Sequence, residues 1–101
     1  MTGVAVISGE GLVIDQALGP DTDSEAMAAL ATTLVRHANE LGLAAAQGPL
    51  STAVLEFGAG PVVVAGLADG ASLILLARTD VDLGELLYLI RRHRGAIADL
   101  L

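Results

Sequence analysis

Apolar positions along the chain switch between a period of two and a period near three and a half, and the switches delimit the elements. A short apolar run at 4–8 is broken by Gly9-Glu10-Gly11 and resumes over 12–18, which reads as a β-hairpin. Gly19-Pro20 ends it. Thr22, with Glu25 three places on, has the form of a capping box, and Asp21 and Asp23 add negative charge at a helix N-terminus. The helix is expected to run to about Leu41, with Gly42 as its stop. Met27, Leu30, Leu34, Ala38 and Leu41 fall at helical spacing and are expected to face the sheet. After a small-residue connector at 43–49, three strands are expected at about 50–57, 61–67 and 71–78. Gly58-Ala59-Gly60-Pro61 and Asp69-Gly70 separate them, the second being the strongest hairpin signal in the chain. Asp82, with Glu85 three on, caps a final helix striped by Leu83, Leu86, Leu87, Ile90, Ile97 and Leu101.

The strand faces give an order. Residues 4–7, 62–65 and 73–76 are apolar on both faces, as central strands covered on both sides are. The second strand carries Asp15 and Gln16, and the third carries Ser51, Thr52 and Glu56, so these are the expected edges. The pattern predicts an α+β fold: ββαβββα, a five-stranded antiparallel sheet of order 2-1-5-4-3 with a helix on each face.

Composition narrows the function classes. The 101 residues make one domain, 1–101, with a single core. Apolar residues are 53% of the chain, yet there is one Tyr, one Phe and no Trp, so the core is aliphatic. That apolar share in a small chain points to self-association. No apolar run approaches the ~18 residues of a membrane span. Met1-Thr2-Gly3-Val4 lacks the basic segment of a signal peptide, so a cytoplasmic location is expected. There is no Cys. Twelve acidic residues against five Arg and no Lys give a formal charge of −7, which repels nucleic acid and anionic membrane alike. Absent Lys beside abundant Ala, Gly, Leu and Val suggests a high-GC bacterial genome.

Catalytic patterns are nearly missing, and an enzyme is not expected. His37 and His93 stand alone, without metal-ligand spacing, and read as exposed helical histidines. Asp21-Thr22-Asp23-Ser24-Glu25 imitates the start of a calcium loop, but Ala26 stands where that loop needs Gly and no Glu closes it. Asp80 and Asp82 suffice as loop and cap residues. No Ser lies in a Gly-x-Ser-x-Gly turn. Gly9-x-Gly11 and Gly58-x-Gly60 lack a third glycine and sit between strands, and no Walker sequence exists. Neither metal nor cofactor is expected.

Two surface features remain. Ala28, Thr32, Val35 and Asn39 form a second, small-residue stripe on the first helix, which either admits another helix closely or reflects the helix propensity of Ala. Arg91, Arg92 and Arg94 hold three of the five basic residues, either meeting an acidic partner or balancing the helix dipole.

The element order, with Gly11-Leu12-Val13 after the first turn, Leu67-Ala68-Asp69-Gly70, and Asp82-Leu83-Gly84 opening the last helix, resembles the Roadblock (dynein light-chain-like) family over nearly the whole chain. The resemblance implies a profilin-like fold and a homodimer. In it the third strand pairs with its twin into a ten-strand sheet, the middle helices lie side by side, and Val54 and Glu56 are edge contacts. It also implies a non-catalytic regulator or scaffold of a small Ras-like GTPase. The family usually has a helix before the first strand, and here only Met1-Thr2-Gly3 precede Val4. The sheet face under the final helix is therefore expected to be partly uncovered or covered by another subunit. Alternatives from other classes are a small-ligand sensor using that face as an apolar pocket, or a structural assembly subunit.

Overall fold

The computed structural model describes residues 2–99, with side chains through residue 93. Its strands are β1 (Gly3–Ile7), β2 (Val13–Ala17), β3 (Thr52–Phe57), β4 (Gly60–Gly66) and β5 (Ser72–Leu76). The helix α1 (Ser24–Ala44) follows β2, and α2 (Leu83–Asp99) follows β5. Every pairing is antiparallel and the order is β2-β1-β5-β4-β3, as the strand faces predict.

The sheet separates two apolar layers. On one side Ala5, Ile7 and Ile74 pack under Ala28 and Ala31 of α1, flanked by Val13, Leu18, Met27, Val62 and Leu76. On the other, Val63, Ala65, Leu73 and Leu75 pack under Ile90 of α2, with Val4, Val6, Leu83, Leu86 and Leu87 around them. Strand alternation assigns each residue to its layer. In place of aromatics, the tightly buried side chains are Ile7, Ile74, Val63 and Val64. Ile97 and Leu101 of the expected α2 stripe lie outside the described side chains.

The helix ends differ from the sequence reading. The N-cap of α1 is Asp23, not Thr22: its Oδ1 accepts from the Ala26 N–H at 3.1 Å. Gly42 does not stop α1. A Cβ there would overlap the Gly48 carbonyl oxygen, so Gly42 lets the α1–β3 connector lie against the helix. The helix ends two residues later in a Schellman pair, Ala46 N–H to Leu43 C=O at 3.1 Å and Gln47 N–H to Gly42 C=O at 2.8 Å. The left-handed position of that pair is Ala46, with φ 58°. At α2 the expectation holds, the Glu85 N–H reaching Asp82 Oδ1 at 3.0 Å. Asp69 and Gly70 both take positive φ, 61° and 77°, the values a type I′ hairpin requires.

Candidate interaction surface

Among the described residues β3 pairs with the single strand β4, so no described strand lies on its other side. The Gly66 N–H donates to the Ser51 carbonyl at 2.9 Å, which makes 51 and 66 a hydrogen-bonded pair. Antiparallel pairs alternate, and the register runs from Thr52↔Ala65 to Phe57↔Gly60. Ala53, Leu55 and Phe57 therefore turn their backbone groups to β4, while Val54 and Glu56 turn theirs outwards. The opposite edge is blunted. The β1–β2 register shifts at Val6/Ile7, and Asp15 sits on that outer strand. A bulge and a charge both discourage strand addition.

Next to the β3 edge lies an apolar groove of about 310 Å³, between Met27, Leu30 and Leu34 of α1 and Leu55 and Phe57 of β3. Its rim is exposed, Leu30 being 70% accessible and Phe57 59%, and Leu41 further along α1 is 69% accessible. Large apolar side chains clustered beside an open strand mark an association surface.

The structure divides both α1 stripes: Met27 packs against the core as expected, and Leu34 and Ala38 are half-buried. Ala28, read as an outward contact, is 0% exposed and belongs to the core, while Leu30 and Leu41, read as core, face out. Thr32 is half-buried, its hydroxyl donating to the Ala28 carbonyl at 2.9 Å. Val35 is half-buried on the same side. Asn39 is exposed, and its Oδ1 accepts the Leu50 N–H at 2.7 Å, tying the helix to the approach to β3. The cause is steric. Ala28 and Ala31 let the helix axis settle close to a sheet already filled with Val and Ile, and leucines cannot fit under it. The signal in the sequence was the i, i+3 spacing of Ala28 and Ala31, since small residues on one face mark close approach to a sheet as readily as to a helix.

Electrostatics at this surface are sparse. His37 and Glu40 of α1 approach at 3.4 Å, and Arg78 and Asp80 at 3.7 Å, both pairs exposed and so worth little. Arg91 and Arg92 are exposed on α2, and Arg92 Nη1 donates to the Tyr88 hydroxyl at 3.4 Å. The Arg94 side chain lies outside those described. Among the described residues no group of three or more His, Asp or Glu is arranged to hold a metal ion. No described helix is long and apolar enough to cross a membrane. On the α2 face Val4 and Val6 are half-buried, and the depression beside them is only about 130 Å³.

The Roadblock/LC7 domain model matches residues 1–77. Among solved structures, MglB of Myxococcus xanthus is similar with a TM-score of 0.89 at 14% identity, covering 98% of this chain and 81% of its own. A Roadblock/LC7 domain from Streptomyces avermitilis reaches 0.79 at 27% identity, covering 95% and 84%. The gliding protein MglB of Thermus thermophilus reaches 0.82 at 16% identity, covering 97% and 76%. Among curated proteins no relative matches significantly.

Proposed function

The chain belongs to the Roadblock/LC7 domain family, and from that premise we propose that it is a non-catalytic homodimeric regulator or scaffold for a small Ras-like GTPase. The observation that carries the homodimer is the continuity of the β3 edge with the exposed apolar side of α1. One surface offers both backbone hydrogen bonds and apolar area to a second copy. A two-fold axis between the strands lets each Val54 exchange backbone bonds with its twin and brings the helices together through Leu30, Leu34 and Leu41. In this proposal Val54 and Glu56 keep the role the resemblance implies. On α1 the leucines replace Ala28, Thr32, Val35 and Asn39.

The GTPase partner rests on the family resemblance. The dimer offers a scaffold of fixed spacing, so any change in nucleotide turnover arises by shifting the GTPase between its own conformations. The experiment is light scattering of the purified chain, followed by mixing with a purified Ras-like GTPase loaded with GDP or a GTP analogue. A dimer that binds one nucleotide state at least about tenfold more tightly, roughly 1.4 kcal/mol of discrimination, supports the reading. A monomer at roughly 100 µM, well above a micromolar Kd, overturns the dimer, and equal failure to bind either state overturns the regulator.

A further inference from the structure

Ser72 is the one buried polar side chain among the described residues, 6% exposed. Its hydroxyl has no hydrogen-bond partner among the described residues. Buried hydroxyls are normally satisfied, and one that is not points to an absent partner. Ser72 lies on the central strand, opposite Ile7 of β1 and Gly66 of β4. It shares the α1 face with Ile74, two residues on. Gly66 adds no side chain to that face, and a pocket of about 310 Å³ opens above Ser72. Ser8 and Gly9 of the first hairpin turn, Gly70 of the second, and Thr32, Val35, Arg36 and Asn39 of α1 complete its walls.

The lining is rich in donors and lacks a carboxylate. Asn39 Oδ1 is occupied by the Leu50 N–H, which leaves its amide hydrogens to donate. Ser8 Oγ accepts from the Leu12 N–H at 3.1 Å, which leaves its O–H. Arg36 joins no ion pair among the described residues. The Gly9 N–H has no acceptor among them either. Donors thus come from the sheet floor, a turn and a helix, around a single positive charge.

We propose that this pocket binds a tetrahedral oxyanion, either free phosphate or the phosphoryl group of a small ester. Donors on three sides match the oxygens of a tetrahedral ion better than the two of a carboxylate. Arg36 supplies the planar fork that phosphate oxygens favour. The chain's net charge of −7 and the carboxylates of Glu10 and Asp69 beside the two turns oppose an anion, so affinity rests on Arg36 and the neutral donors in direct contact with it. On the wheel of α1, Arg36 and Asn39 lie on the far side from Leu30, Leu34 and Leu41. The site is therefore separate from the proposed dimer surface, and each reading fails or stands without the other.

The test is a titration of the isotope-labelled full chain with inorganic phosphate, followed by NMR of the Gly9, Gly70 and Ser72 amides and the Asn39 side-chain amide. Glycerol phosphate forms a second arm, with sodium chloride and sodium acetate at matched ionic strength as controls. Saturable shifts with phosphate are expected, weakened at least about tenfold by Arg36→Gln and about fivefold by Ser72→Ala, as loss of a charged and of a neutral donor implies. In phosphate-free buffer Ser72→Ala is expected to keep the parent's Tm, since the hydroxyl it removes bonds to nothing in the protein. Tighter binding of glycerol phosphate assigns the site to a phosphoryl ester, and equal or weaker binding assigns it to the free anion. Non-saturable shifts, equal shifts with acetate or chloride, or undiminished affinity in Arg36→Gln overturn the proposal.

Discussion

Ala46 occupies the left-handed position at the end of α1, with φ 58°. A Cβ there meets the following carbonyl, at a cost of roughly 1–2 kcal/mol. Ala46→Gly is therefore expected to raise stability by about 1 kcal/mol in urea unfolding, less the extra freedom glycine gains in the unfolded chain. An unchanged or lower midpoint would show that Gln47 and Gly48 already relieve the turn. Gly60 is the opposite case. Its φ is 142° and a Cβ would overlap the Ala77 carbonyl oxygen, so Gly60→Ala is expected to lose about 3 kcal/mol or fail to fold. Circular dichroism and Tm check it, and a variant within about 2 °C of the parent, well under 1 kcal/mol, would contradict the packing of the β3–β4 turn on the chain after β5.

At the scale of elements, α1 has two faces with opposite duties, and substitutions separate them. Leu30→Asp removes an exposed leucine, so monomer stability should change by less than about 0.5 kcal/mol. In the proposed dimer it buries a carboxylate without a partner, worth about 3 kcal/mol or more, roughly a hundredfold or more in dimer Kd. Val35→Glu should do the reverse: lower Tm and leave the association constant of the folded fraction alone. Sedimentation equilibrium on both variants decides, and if only Val35→Glu dissociated the dimer, the small-residue stripe would be the interface after all. For β3 the outward N–H of Val54 is the critical donor. Val54→Pro removes it without touching a β4 bond and is expected to yield a monomer with native circular dichroism. Pairing centred on Val54 also sets Glu56 against Thr52 of the partner subunit, whereas centring on Glu56 would oppose two carboxylates.

For the whole molecule, the two sheet edges differ in kind, and that difference limits assembly. A bulge and Asp15 blunt β2, so strand pairing at β3 should close a dimer and not propagate a fibre. The proposed regulator predicts that stimulation of a GTPase, if present, survives joint replacement of Arg91, Arg92 and Arg94 by Ala to within about threefold, whereas an arginine finger is worth at least about a thousandfold. Single-turnover hydrolysis measures this. A collapse of that size with binding intact would mean that this chain donates an arginine to the reaction.

Much of this architecture was legible in the chain. Runs such as Val62-Val63-Val64-Ala65 that are apolar on both faces name central strands, Asp15 and Glu56 mark the edges, and Asp69-Gly70 and Asp82 set a turn and a cap through short-range geometry alone. The sequence could not orient α1, because a helix striped with leucine on one side and alanine on another has two ways to face a sheet. Packing volume chose between them: a floor of Ile7, Val64 and Ile74 accepts alanine beneath a close helix and expels leucine to the groove. The helix end was hidden for a similar reason, since Gly42 answers to Gly48 across the connector. The pocket over Ser72 needs residues 8, 36, 39, 70 and 72 together, and only the closed sheet, with two hairpin turns brought under one helix, places them there.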